Sequence, residues 1–391
     1  MKFDKAYFDA GIDRRHSGAV KWDSAEMCPD GALPMWIADM DFACAPAIVE
    51  AIVKRAQHPC FGYDMDDREG QQAFCDFWKR RHGLDVEIAE TVMLPGVVTG
   101  LRAAVNVMTE PGDGVAILTP VYGPFFSSIK DAGRKVVECA LIEDESGRAV
   151  MDYEAIENAF QGGAKMMMLC SPHNPVGRCW DRDELEKLLA LCRQYGIPMV
   201  SDEIHADFVY APKRFTPILT LEGACENVIS LAAPSKTFNV AGLQHAHAIC
   251  KDAALREKFE NYLHTYGVSS GNTFAVAAAR ACYESCDEWL NGLLAYLDEG
   301  RQMLLEYVRR LLPKAVMKPV EATYLAWVDL RAYGYNTEEL NARCKEAGII
   351  LNRGTFFGDC GDGFVRINFG CPHANLLEGV KRLAKAVGEK E

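Results

Sequence analysis

"SDEIHAD", residues 201–207, closes the apolar run "GIPMV" (196–200), and "APSKTFNVAGL", residues 233–243, closes another, "NVISLA" (227–232). Each joins a short apolar stretch to ionisable groups at its far end. That is the pattern of a buried strand whose carboxyl end opens onto a site. Asp202 stands at one such end and Lys236 just past the other. The fold and the chemistry are both read outward from these two positions.

Five further runs share the texture: "TVML" (91–94), "GVAIL" (114–118), "KVVECAL" (135–141), "KMMMLC" (165–170) and "AHAIC" (246–250). With "IPMVSD" (197–202) and "NVISLA" they make a set of seven strands. Helical patterns lie between several of them. In "DRDELEKLLALCRQY" (181–195), Leu185, Leu188, Leu189 and Cys192 recur at helical spacing, with Asp181 placed to cap the first turn and Glu184 three residues on. Apolar strands alternating with helices predict an α/β fold with a mainly parallel seven-stranded sheet covered on both faces. After about residue 280 the texture changes. A long helical stretch (287–312) leads to "ATYLAWVDL" (322–330), "GIILN" (348–352) and "GFVRINFG" (363–370), which predict a second, smaller α+β domain.

The bulk properties agree. A chain of 391 residues exceeds the usual size of one core. The net charge of −13 argues against a nucleic-acid partner, which needs a basic face. The 15 cysteines are scattered, odd in number and without a Cys-x-x-Cys pair; Cys139, Cys170 and Cys250 lie inside apolar runs. They read as reduced thiols in a reducing compartment, the cytoplasm. "MKFDKAYFDAG" (1–11) lacks an apolar signal-peptide core, and no run of 18 uncharged apolar residues predicts a membrane span.

A lysine in a loop is by itself a solvated lysine, and "SDE" after a strand is common. The combination carries more. An amine nucleophile forms a Schiff base with an aldehyde cofactor. Pyridoxal phosphate (PLP) then requires a carboxylate at its pyridine nitrogen to keep that nitrogen protonated. Lys236 and Asp202, at strand ends of one sheet, supply both. "CSPHNPVGR" (170–178) is a turn by composition, and Asn174 in it is placed to donate its amide to the ring oxygen. In "LPGVVTGLRAAV" (94–105) a strand, a glycine and a helix follow one another, so the backbone N–H groups at Gly96, Val97 and Val98 offer an anion site. Tyr122, in "TPVYGPF" (119–125), is either a stacking ring or core.

The series Gly96, Tyr122, Asn174-Pro-x-Gly, Asp202, Lys236 and Arg366 resembles the class I/II aminotransferases, which are fold type I PLP enzymes. "MWIADMDF" (35–42), "FGYDMDD" (61–67), "SPHNPVGR" (171–178), "SDEIHAD" and "PSKTFNVAGLQ" (234–244) resemble one group within them, the cystathionine β-lyase group of MalY/PatB-type C–S lyases. The resemblance implies a PLP-dependent carbon–sulfur β-lyase acting on L-cystathionine or another cysteine S-conjugate. It implies that Lys236 carries the cofactor and serves as base, Asp202 pairs with the ring nitrogen, and Tyr122 stacks on the ring. Ser235 and the 96–98 amides bind phosphate, His205 contacts the cofactor, Arg366 clamps the substrate carboxylate, and Trp36 and Asn174 complete the substrate pocket. The resemblance further implies that Tyr63 reaches the other subunit's phosphate and that the active unit is a homodimer with shared sites. The implied division is an N-terminal segment, 1–45, associated with the small domain, a PLP-binding domain, 46–285, and the small domain, 286–391.

Two departures from aminotransferases favour the lyase group: His205 stands where they carry Tyr, and Gln244 where many carry Arg. Arg353, in "LNRGTFFG" (351–358), is either a contact to the distal end of an acidic substrate or an exposed loop residue. The histidines 173, 205, 245 and 247 lack metal-ligand spacing, so no metal is expected. An aminotransferase, a decarboxylase or racemase, and a PLP-binding regulator are the rival readings. The intact Lys236, Asp202 and Arg366 set argues against loss of chemistry, while a regulatory protein partner remains compatible with it.

Overall fold

The computed structural model describes residues 2–24, 28–62, 67–268 and 272–389. All seven predicted runs enter one sheet, in the order Thr91–Leu94, Ala246–Ile249, Val228–Ala232, Met199–Asp202, Ala164–Cys170, Gly114–Thr119 and Lys135–Ala140. Ala246–Ile249 runs antiparallel to both of its neighbours, and the others are mutually parallel.

The strand texture has a direct cause. Met166, Met168 and Cys170 point into one core, with Val115, Ile117, Val200 and Ile229. Met167 and Leu169 point into the other, with Ala116, Leu118, Met199 and Val228. A strand buried on both faces has no polar side to show, so its sequence reads as a continuous apolar run. Helices cover both faces. Arg182–Tyr195 is closed by the Asp181/Glu184 capping box and buries Leu185, Leu188, Leu189 and Cys192, the stripe read from the sequence.

The carboxyl edge of the sheet positions the site. Cys170, Asp202 and Leu231 lie abreast in neighbouring strands. Past Ala232 the chain turns into a four-residue helix, Pro234–Thr237, which carries Lys236. Helix Val97–Met108 starts at the same edge, two residues after strand Thr91–Leu94.

Helix Asp287–Leu311 leads to an antiparallel sheet ordered Val316–Met317, Leu325–Asp329, Phe364–Asn368, Asn352–Arg353. The run "GIILN" (348–352) divides between two sheets. Ile349–Ile350 pairs in parallel with Leu33–Pro34, and Asn352–Arg353 pairs with Phe364–Asn368. Its two halves have different neighbours to satisfy: Ile349 and Ile350 are buried, whereas Arg353 faces solvent. We infer the domain division 1–45, 46–285 and 286–391 from this arrangement.

One ion cluster ties the two sheets together. Arg178, buried, donates through Nε to Glu321 Oε2 at 2.9 Å and through Nη2 to Glu184 at 2.6 Å. Arg148 donates to the other Glu321 oxygen at 2.8 Å. Burial alone raises the Glu321 carboxyl, but Arg178 and Arg148 outweigh it and hold the group below its usual range. A depressed carboxyl contributes stability that is present above its unfolded pKa, about 4.3, and is lost as pH falls through the folded value. Replacing Glu321 by Leu removes one anion from a buried guanidinium, so chemical denaturation at pH 7 should show a loss of about 3 kcal/mol. The deficit should shrink as pH falls from about 4.3 through the lower folded value, where the wild-type carboxyl becomes protonated as well.

Candidate active site

A cavity of about 440 Å³ opens along the carboxyl edge, between the strand ends and the start of helix Val97–Met108. Of the residues singled out in the sequence, Gly96, Val97, Val98, Tyr122, Asn174, Asp202, His205, Ser235 and Lys236 all line it, as does Gln244.

Asp202 is the last residue of its strand and is buried. Its Oδ1 accepts the Ile204 N–H at 3.1 Å, and among the described residues no cation lies within ion-pair distance. Burial pushes the carboxyl up to about 6, opposed by the Ile204 bond and by Lys236. The Lys236 Nζ donates to the Ala38 carbonyl at 2.6 Å. Burial brings this amine down to about 8, with Asp39 and Asp202 acting upward and Arg366 downward. His205 is buried with Nδ1 unpartnered, and burial, then Lys236 and Arg366, hold it near 3, as a neutral ring.

Arg366 stands behind Asn174 rather than in the cavity wall. The residue is 2% exposed. Nη1 donates to Asn174 Oδ1 at 3.0 Å and Nη2 to the Trp36 carbonyl at 2.7 Å, while Nε has no partner. Burial lowers the group to about 10. No carboxylate pairs with it among the described residues. The bond from Nη1 fixes the amide of Asn174, leaving its Nδ2 donor for a ligand.

Helix Val97–Met108 starts at Gly96 with no side chain capping its free N–H groups, and a Cβ at Gly96 would meet nothing within 4 Å. Uncapped N–H groups at an open helix start suit a phosphate. An amine, a cation-free buried carboxylate, an oriented amide and an uncapped helix start on one cavity fit the phosphate, ring nitrogen, ring oxygen and aldehyde of PLP.

Two candidates stand elsewhere, and a third falls outside the described residues. The Trp36 ring packs with Cys28, Ala32 and Ile350, and its Nε1 donates to the Lys21 carbonyl at 3.3 Å, so only its main chain touches Arg366. Arg353 is exposed and paired with Glu338 at 2.8 Å, away from the cavity. Tyr63 lies outside the described residues. Among the described residues no group of three or more His, Cys, Asp or Glu is placed to hold a metal ion. His245 and His247 face each other, with Nε2 atoms 3.1 Å apart.

Sequence reasoning missed the extent of the strap 35–42. Its carbonyls are taken by side chains from both sheets. Asn368 Nδ2 donates to Ile37 O and Asp39 O, Tyr324 Oη to Ala38 O at 2.8 Å, and Asn239 Nδ2 to Met40 O and Phe42 O. Asp39 itself is gripped by Arg14 through both oxygens, at 2.9 and 2.8 Å. The only signal in the sequence was the run of Asp39 and Asp41 within "MWIADMDF".

The family description Aminotransferase class I and II matches residues 34–383. The cystathionine β-lyase PatB of Bacillus subtilis is 39% identical over 385 residues, covering 97% of this chain and 99% of that one. Cystalysin from Treponema denticola, solved with PLP, superposes with a TM-score of 0.92 at 32% identity, covering 96% of this chain and 97% of that one. The PLP-bound C–S lyase from Staphylococcus hominis gives a TM-score of 0.89 at 29% identity, covering 97% of this chain and 98% of that one.

The raised Asp202 carboxyl has a thermodynamic consequence in the cofactor-free protein. Its folded pKa, about 6, lies above the unfolded value of about 3.9. The stability it contributes is therefore complete below the unfolded pKa and is lost as pH rises through the folded one. Asp202→Asn removes that titration. The stripped variant should be more stable than stripped wild type at pH 7.5 by on the order of 2 kcal/mol, with the gap closing toward pH 4.5, in urea denaturation. A gap that does not change with pH would show that the carboxyl titrates normally.

Proposed function

The chain belongs to the class I and II aminotransferase family, and from that premise we propose that it is a PLP-dependent carbon–sulfur β-lyase. It cleaves L-cystathionine or another cysteine S-conjugate, taking up one water and yielding a thiol, pyruvate and ammonia. The observation that carries this reading is the placement of Lys236 and Asp202 on one cavity, with the acid-free guanidinium of Arg366 behind Asn174.

PLP, when bound, supplies an electron sink that lets the Cα–H bond of an amino acid break heterolytically. Lys236 would hold it, and its Nζ is the base that takes the Cα proton. Asp202 would keep the ring nitrogen protonated, Asn174 would donate to the ring oxygen, and Tyr122 would pack against the cofactor. His205, buried and neutral, adds no competing charge beside it. The 96–98 amides and Ser235 hold the phosphate. Arg366, which no carboxylate pairs with and whose Nε is unpartnered, is the cation that takes the substrate carboxylate and so orients Cα toward the amine. Reaction type follows from what the substrate carries: a thiolate on Cβ is a good leaving group, so elimination outruns the slower return of the proton. His205 and Gln244, where aminotransferases carry Tyr and Arg, support the same choice.

The active unit in this reading is a homodimer that shares its sites through Tyr63. Val49 and Val53, one turn apart on helix Pro46–Ala56, and Phe61 beyond it are about half exposed, which supports cover by a second copy. Among the described residues no helix is long and apolar enough to cross a membrane. The cysteines are all unpaired, which supports a cytoplasmic setting.

Purified enzyme given cystathionine should release pyruvate, ammonia and homocysteine in equal amounts without added keto acid. Turnover that stops after one equivalent and resumes only on addition of a keto acid would make it an aminotransferase. Mixing the inactive variants Tyr63→Ala and Lys236→Ala should restore activity through hybrid dimers holding one intact site. If hybrids form and remain inactive, the sites are not shared.

A further inference from the structure

Asp207, the third acid of "SDEIHAD", does not line the cavity, yet it bonds to the residue beside Lys236. Its Oδ2 accepts the Thr237 hydroxyl at 2.7 Å. Its Oδ1 meets His82 Nε2 at 3.0 Å and Arg81 Nε at 3.3 Å. We propose that Asp207 braces the cofactor lysine: it is a positioning residue that ties Thr237, and with it the main chain that aims Lys236, to the end of helix Arg68–His82. The inference rests on the reading of Lys236 as the cofactor lysine.

The geometry shows why a brace acts at this point. Lys236 sits on a helix of four residues, where the Phe238 N–H reaches Pro234 O at 2.9 Å and the Val240 N–H reaches Ser235 O at 3.0 Å. So short a helix does not fix its own direction. Two side chains after Lys236 tie the segment down: Asn239 bonds to the strap at Met40 and Phe42, and Thr237 bonds to Asp207. The Asp207 tether ends on a rigid support. Its side chain is only 7% exposed and both carboxylate oxygens are engaged. An ionised carboxylate only accepts, so this contact keeps a ring proton of His82 on Nε2. The His82 ring is itself enclosed by Trp78 and Phe215, with ring centroids 4.8 and 5.3 Å away. Thr237 is buried, and a hydroxyl–carboxylate bond is stronger there than in water. The tether therefore runs without a loose member from two packed aromatic rings to the residue that follows Lys236.

A role in the fold alone is the alternative, because Asp207 also joins helix Arg68–His82 to the sheet edge. Thr237→Val separates the two: it keeps the shape, removes the bond to Asp207 and leaves His82 and Arg81 in place. The experiment measures the rate of covalent PLP capture by the cofactor-free full chain, trapped with borohydride. PLP is raised until the rate no longer increases, so that phosphate affinity drops out. Thr237→Val and Asp207→Asn should each slow capture by about tenfold, the scale of one buried bond to a carboxylate. The double variant should be no slower than the slower single one, because both changes break the same bond. Thr237→Ser keeps the hydroxyl and should restore the rate. Ser230→Ala removes a bond of the same kind, from a buried hydroxyl to Glu203 at 2.7 Å, and should lower the melting temperature while leaving the rate in place. If Asp207→Asn fails to fold, the pair Thr237→Val and Thr237→Ser still decides. A wild-type rate in Thr237→Val, no rescue in Thr237→Ser, additive losses in the double variant, or an equal loss in Ser230→Ala would overturn the role of Asp207. Capture that persists unaltered in Lys236→Ala would instead overturn the reading of Lys236 itself.

Discussion

An amine and a carboxylate are buried on one cavity without being paired to each other, and the rest of the molecule is arranged around that constraint. Water would favour the charged form of both groups, and burial withdraws it. An ion pair between them would be the simplest remedy, but it would close the space a ligand needs. The structure instead satisfies each group separately and incompletely. Asp202 has one backbone N–H, and Lys236 has one carbonyl. Both are left shifted toward neutrality, Asp202 upward and Lys236 downward. Shifted groups in a cavity are poised to react when a ligand supplies the missing partner.

The same burial extends to groups that do no chemistry, and their contributions oppose one another. Burial holds His173 near 3 and His245 near 4. Such rings bind fewer protons folded than unfolded, so they favour the fold more as pH rises toward about 6.5. Glu203 is buried with Ser201, Ser230 and the Ile218 N–H around it, and burial raises it to about 7. Its sign is the reverse: stability is lost as pH rises through that value. The histidines and the raised carboxyls thus act in opposite directions over the same window, from about pH 4 to 7, and offset one another there.

What the sequence made legible was local. The seven strands were readable because burial on both faces leaves an unbroken apolar run. Asp202 and Lys236 were readable because strand ends announce themselves. The bond from Arg366 to Asn174 joins residues 192 apart, and no spacing rule reaches across that distance. The strap was harder still. It has no helical or strand period, and its order is imposed by donors such as Asn239 and Asn368, which lie 199 and up to 331 residues away. "GIILN" shows the same limit: a short apolar run does not reveal that its two ends belong to different sheets. Arg353 was ambiguous because a loop arginine looks the same whether its partner is a substrate or Glu338.

The strap also explains why the site needs the whole chain. Lys236 and Asn239 come from the large sheet's edge, while Arg366, Asn368 and Tyr324 come from the small one, and both sets donate to the carbonyls of 36–42. Leu33–Pro34, just before the strap, is anchored to Ile349–Ile350. A carbonyl buried without a donor costs about 1–3 kcal/mol, so separating the two sheets would expose several such costs at once. The main chain of the strap is thus held only when both sheets are in place. Because its Ala38 carbonyl receives Nζ, the Lys236 amine is oriented by the strap and not by its own helix alone, which at four residues is too short to fix it. Orientation of the lysine thus depends on donors from both sheets, among them Asn239, Asn368 and Tyr324, which a local reading of the sequence passes over.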